Sequence, residues 1–291
     1  MNDILFIVST TLMYSTPLIF ASLGGVMSEK SGVINIGLEG MMTIGAFFAS
    51  FVAIKSNNSL LALAAGGMAG LLLALLHAIA SIKFKGNQVV SGIGINFLGS
   101  GLAIFLCRLF FEGTSMTPPL ELDHKLPTIF GQYITVYIAF ILTFFIWFMF
   151  NKTQFGLRFI SAGEHPKATE SAGVNQKAYK YLGVLFSGFL AGMGGASLSI
   201  AIVSNFRPTL ISGQGFIALA AVIFGKWKPE GALFASLFFG LTQALVVYVG
   251  GLQTIFVSSQ LLSQLPYVTT LLVLIFFMGK TKAPTSLGQI D

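Results

Sequence analysis

Between Asn151 and Lys180 the chain reads NKTQFGLRFI SAGEHPKATE SAGVNQKAYK, its longest polar stretch. Apolar runs flank it: QYITVYIAFILTFFIWFMF at 132–150 and YLGVLFSGFLAGMGGASLSIAIV at 181–203. Runs of ~20 apolar residues cross a bilayer as helices. The polar stretch must then lie outside the lipid. It carries Lys152, Arg158, Lys167, Lys177 and Lys180 against Glu164 and Glu170. That basic excess places it on the cytoplasmic side. One elaborate cytoplasmic loop in a chain with little other soluble mass points to contact with a partner.

Composition extends this reading to the whole chain. Of 291 residues, 55% are hydrophobic and 9% charged, and the mean hydropathy is +0.85. Soluble domains carry roughly 25% charged residues. The apolar runs are continuous rather than alternating, which disfavours a β-barrel. The expected fold is an all-α polytopic membrane protein with about 8–10 transmembrane helices, some discontinuous, forming a single domain over 1–291. The net charge of +6 sits at span ends, as insertion topology requires, and does not indicate nucleic acid. The single cysteine, Cys107, lies in an apolar run and reads as a packing residue. No basic residue precedes the first apolar run, so that run reads as a retained span, not a signal peptide.

The spans read as 4–26, 38–55, 60–82, 89–111, 132–150, 181–203, 211–226, 229–250 and 264–279. The span 211–226 is short and contains Gly213, Gly215 and Gly225, and SGVINIGLEG precedes the span at 38–55. Both regions read as discontinuous or re-entrant helices. Irregular backbone at membrane depth needs protein or a water-filled cavity around it. These glycines therefore either mark a pathway lining or allow close helix packing. Lys83 and Lys85, Lys226 and Lys228, and Lys280 and Lys282 mark further cytoplasmic turns, whereas the acidic loop 112–131 fits the outside. The segments 66–78 and 229–244 share a Gly-plus-apolar pattern, either a repeated half or a chance likeness.

Catalytic patterns are absent from the sequence. His77, His124 and His165 are too dispersed for a metal cluster, and no GxxxxGK[ST] phosphate loop occurs. The chain is read as a non-enzyme that binds no cofactor or metal. Few ionisable residues fall within the spans, which favours passage of a neutral or weakly polar solute over proton relay. Glu39 could face the pathway, cap a helix start or pair with Lys30. Asn35, Asn96, Asn205 and Gln214 could bond a solute or neighbouring helices. Within the polar loop, Gly156 reads as a turn. Pro166 suits a helix start and Gly173 a helix stop, giving a short helix at about 164–173. It either docks in a partner's groove or is a solvated connector.

The segment TQFGLRFISAGEHPKATESAGVN, followed by SGFLAGMGGASLSI, resembles the ABC-importer permeases that serve ribose, branched-chain amino acids and nucleosides. SGVINIGLEGMMTIGAF and PEGALFASLFFG are similar to the nucleoside branch, of purine-nucleoside type. The resemblance implies a type II-like permease whose loop 151–180 couples to an ABC ATPase subunit. It implies that Gly156 and Arg158 shape the leading arm, that Gly163, Glu164 and Ala168 lie on the coupling helix, and that Gly173 ends it. Asn35, Glu39, Asn96 and Gln214 are then pathway candidates. The implied partners are that ATPase, which uses the ATP, a second permease that is usually a different chain, and an extracytoplasmic solute-binding protein. The implied place is the bacterial cytoplasmic membrane, multi-pass in its bilayer. Sugar or branched-chain amino acid import, an ion-coupled secondary transporter and a membrane-embedded enzyme are the alternatives.

Overall fold

The computed structural model describes residues 3–251, 259–277 and 282–289. Lys280 and the end of the span expected at 264–279 lie outside the described residues. The architecture is helical: α1 (Asp3–Lys30), α2 (Leu38–Ser56), α3 (Ser59–Ala78), α4 (Gln88–Phe110), α5 (Ile134–Lys152), α6 (Gln154–Glu164), α7 (Pro166–Ser171), α8 (Gln176–Ser197), α9 (Gln214–Phe224), α10 (Pro229–Gly251) and α11 (Ser259–Phe277). Single π-helical turns, Ile79–Lys83 and Leu198–Ile202, prolong α3 and α8. A two-residue antiparallel pair, Thr128–Ile129 with Gln132–Tyr133, leads into α5. Among the described residues, seven helices are long and apolar enough to cross a membrane: α1, α2, α3, α4, α5, α8 and α10. The chain is thus a polytopic, all-α membrane protein.

Helix starts follow from side-chain caps. Asn58 accepts from the amides of Leu60 and Leu61 at α3, and Asn87 from Val89 and Val90 at α4. Thr153 caps α6 through Gly156, and Asn175 caps α8 through Ala178. Each side-chain oxygen satisfies donors that the first helical turn leaves unpaired.

Helices α1, α2, α3 and α8 form the interior of the bundle, while α4, α5 and α10 turn apolar side chains such as Phe97, Phe144 and Phe234 outward. Lipid is as apolar as leucine, so close van der Waals packing rather than hydrophobic burial holds such helices together. Small residues supply that closeness. A methyl group on Gly70 would collide with the Gly188 carbonyl, and one on Gly192 with the Gly66 carbonyl. One on Gly45 would lie 2.5 Å from the Gly192 oxygen. The pattern at 66–78 therefore serves the α3–α8 contact.

Irregular backbone leads into the helix at each of the two glycine-punctuated regions. Residues 31–37 form no helix between α1 and α2, although they are mostly buried. Residues 203–213 precede α9, whose 11 residues reach about 16 Å, half a bilayer.

The polar loop differs from the single helix expected at about 164–173. It holds two helices, α6 and α7, separated at His165, whose φ of −139° is extended. Pro166 causes the break, because its ring disfavours helical backbone at the preceding residue. Gly163 and Glu164 consequently end α6 rather than begin the short helix. Gly156 lies inside α6 rather than at a turn, and its missing side chain lets α6 fold back against Met149 and Phe150 of α5. Gly173 follows α7 with φ +77°, and its amide bonds the Glu170 carbonyl at 2.9 Å. That left-handed conformation is why glycine stops the helix there.

Candidate functional site

Residues 31–37 carry exposed backbone polarity into the interior, and distant side chains satisfy it. The Ile34 amide donates to Gln88 Oε1 at 2.7 Å, and its carbonyl meets His77 Nε2 at 2.9 Å. His77 Nδ1 lies 2.9 Å from Ser91 Oγ, so the ring bridges two elements. Asn96 reaches both ends of the turn: its Nδ2 donates to the Ile36 carbonyl at 3.0 Å, and its Oδ1 accepts from the Gly40 amide at 2.9 Å. Asn35, fully buried, accepts from the Gly37 amide at 3.1 Å and donates to Ser187 Oγ at 2.9 Å. These bonds make the irregular backbone tolerable away from water.

The same cluster grips the second irregular region. Glu39 accepts from the Gly213 amide at 2.6 Å and the Gly215 amide at 2.7 Å. A carboxylate at a helix start is favoured by the unpaired amides and the helix dipole. The helix it closes is α9, across the fold, rather than its own α2. Gly213 has φ +89°, which turns the chain into α9 at no side-chain cost. Gly215 has no room for a Cβ beside the Glu39 backbone, at 2.5 Å from its nitrogen.

A cavity of about 290 Å³ opens beside this junction. Its walls are Tyr14 and Leu18 from α1, Phe239 and Gln243 from α10, Pro266 and Tyr267 from α11, and the segment 209–212 with Arg207, Gln214 and Ile217. Tyr14 and Leu18 lie midway along α1, and Phe239 and Gln243 midway along α10, so the cavity sits at mid-depth. The Tyr267 hydroxyl donates to the Ser212 carbonyl. Of the pathway candidates, Gln214 lines this cavity, Glu39 holds the backbone of Gly213 and Gly215 beside it, and Asn35 and Asn96 hold the turn before α2.

At the end of the molecule rich in lysine, the tail residues 282–289 return to the polar loop. The Thr285 amide and hydroxyl donate to Glu164 Oε2 at 3.0 and 2.7 Å. The Ser286 amide donates to the Gly163 carbonyl at 3.0 Å, and the Gly288 amide to the Gly32 carbonyl at 3.2 Å. Desolvation alone would raise the Glu164 carboxyl. The two Thr285 donors and the nearby Lys30 outweigh it and hold the group below its ordinary value. Gly163 is buried, and its Cβ would collide with the Lys30 carbonyl. Lys167, Ala168 and Glu170 of α7 are exposed, as is Arg158 of α6.

Residues 7–278 match the family described as branched-chain amino acid transport system / permease component. The chain belongs to this family. It is 42% identical to the guanosine ABC transporter permease protein NupQ of Bacillus subtilis, across 97% of this chain and 95% of that protein. Identity to the nucleoside ABC transporter permease protein NupC of Lactococcus lactis is 39%, across 99% and 96%. The putative glucose ABC transporter permease protein TsgC13 of Haloferax volcanii is 32% identical, across 95% and 93%. No solved structure matches.

For this permease the sequence pointed to Gln214 but missed Tyr14, Arg207, Gln243 and Tyr267 on the same cavity. Arg207 offered a usable signal, as a lone cation in NFRPTL away from the lysine-rich turns. Gln243 and the two tyrosines gave none, since spans commonly contain such residues without a site.

Proposed function

We propose that this chain is the membrane permease subunit of an ATP-driven nucleoside importer in the bacterial cytoplasmic membrane. The observation that carries the reading is near-full-length identity, 42% and 39%, to two permeases named for guanosine and nucleosides. The lysine-rich end faces the cytoplasm by the positive-inside rule. There an ATPase subunit presses on α7, and Arg158 on the leading arm faces an acidic residue of that partner. Closure of the ATPase pair on ATP moves α6 and α7. The packing of Gly156 on α5 and of Gly163 on the end of α1 transmits the push to the spans.

At the opposite end, a solute-binding protein delivers its cargo to the loop 112–131. That loop lies on the turn after α8: the Leu120 amide bonds the Ser204 carbonyl at 2.8 Å, and the Phe206 amide bonds Thr117 Oγ1 at 2.9 Å. The same turn leads to the cavity wall at 209–212. A second, different permease completes the pathway.

The test is uptake of radiolabelled guanosine and uridine by cells carrying or lacking the gene, with unlabelled nucleosides, bases, glucose and leucine as competitors. Uptake that depends on ATP and is competed by nucleosides supports the reading. The 32% identity to a glucose permease makes glucose the specific rival, and competition by glucose alone would replace nucleosides with sugar as the cargo.

A further inference from the structure

We infer that the mid-depth cavity is a nucleoside subsite within this one subunit, where Gln214, Gln243 and Arg207 read the polar edge of the base and Tyr14 and Tyr267 cover its faces. The inference rests on the nucleoside reading above. Its basis is a division among polar side chains. Most of those deep in the bundle are engaged within the protein: Asn35 with Ser187, Asn96 with Ile36 and Gly40, Ser22 with Ser236. Gln214, Gln243, Arg207 and Tyr14 have no side-chain hydrogen bond to any described residue, and all four face one cavity. Polar groups at membrane depth are expensive unless something polar meets them. Gln214, Gln243 and Tyr14, all half-buried, with the exposed Arg207 beside them around a single space, call for a polar occupant.

The wall chemistry narrows that occupant. Each glutamine amide offers two donors and one acceptor atom, matching the mixed donors and acceptors of a base edge, and the guanidinium adds a donor fork for carbonyl oxygens. Aromatic walls stack on the planar rings of bases. A sugar offers them only C–H faces and no π system to stack. A free amino acid would bring an ammonium group, and among the described residues no carboxylate lines the cavity to receive it. The volume of about 290 Å³ suits one small solute, at the lower bound of ~300 Å³ for ligand pockets.

The experiment uses the complete importer in membrane vesicles. Photolysis with tritiated 8-azidoadenosine should label peptides that carry Tyr14 or residues 207–214, and excess guanosine should suppress the label. Gln243→Leu and Gln214→Leu should retain assembly, read as co-purification with the ATPase subunit. They should lower nucleoside uptake about tenfold or shift the guanosine-to-uridine ratio by a comparable factor, because each leaves a base edge unpaired. Labelling confined to other peptides, or unchanged uptake and ratio in both assembled variants, overturns the subsite. Should either variant fail to assemble, labelling of the unmodified importer decides alone. If the unmodified importer carries glucose or leucine but no nucleoside, the functional reading fails first, and that outcome is distinct from loss of the subsite alone.

Discussion

Glu39 and Gly213 stand 174 residues apart in the chain, yet the carboxylate of one accepts a 2.6 Å hydrogen bond from the backbone amide of the other. The bond ties the start of α2 to the start of α9, so both irregular segments form one junction. Helix α9 begins beside the cavity and runs to the lysine turn at Lys226 and Lys228. A displacement at that turn therefore reaches the cavity wall through a helix of only three turns.

Replacing Glu39 with alanine should loosen this junction. It removes two hydrogen bonds to an ionisable acceptor, each worth ~1.5–3 kcal/mol, and leaves the Gly213 and Gly215 amides unpaired. We expect an apparent Tm lower by roughly 6–12 °C in detergent, from about 3 kcal/mol at 2–4 °C each. Glu39→Gln keeps one acceptor oxygen and should lose about half as much. A thermal-shift assay on purified protein reads both, and an unchanged Tm in the alanine variant would refute the junction.

Glycines should divide by what surrounds them. Gly192→Val drives a side chain into the backbone of Gly66 and Gly67, where neither helix can yield. Overpacking ordinarily costs ~1–3 kcal/mol, and a collision with backbone exceeds that. The variant should disappear from the membrane fraction. Gly101 in α4 has open space around it, so Gly101→Ala should raise stability by up to ~1 kcal/mol through helix propensity. Immunoblots of membranes and Tm measurements distinguish the two.

The sequence revealed the spans, the polar loop and the two broken regions because lipid imposes a compositional rule on each. The chain's own partners were harder to see. Glu39 stands in the first turn of α2, so its place in the sequence suggested a cap for that helix. Its actual partner is set by a crossing of α2 and α9 that no spacing encodes. Asn35 and Asn96 gave the same signal as a solute ligand would, a neutral amide near a broken segment. The interior needed them to pair the backbone of residues 31–37. The break at His165 carried a signal, since Pro166 constrains the residue before it, but the expected helix at about 164–173 ran through it. The packing of Gly163 under Lys30 was not, because it depends on where α1 ends.

The contact between the tail and the polar loop should depend on acid. Glu164 is held below its ordinary value of 4.5. A depressed carboxyl contributes above its unfolded value, and the contribution is lost as pH falls through the folded value. A spin label at Ala283 should therefore be restrained at neutral pH and gain mobility only below about pH 4.5. Glu164→Gln should leave the label mobile at neutral pH and insensitive to acid. Equal mobility in the two proteins at pH 7 would show that Glu164 does not hold the tail.

Gly163 and Ala168 stand five residues apart in the loop, but the kink at His165 gives them opposite roles. Ala168 is exposed on α7, whereas Gly163 is buried against the Lys30 carbonyl. Ala168→Arg adds bulk and charge to the exposed face of α7. It should leave the amount of protein in the membrane unchanged, lower uptake more than about tenfold, and abolish the rise in ATP hydrolysis on adding solute. A tenfold loss corresponds to ~1.4 kcal/mol of lost coupling, within reach of one disrupted contact. Gly163→Val should act earlier, by forcing the end of α1 away from α6, so that little protein accumulates. Normal transport by Ala168→Arg would remove α7 from the coupling surface. Normal accumulation of Gly163→Val would mean that α6 is not seated on α1 and cannot pass a push to it.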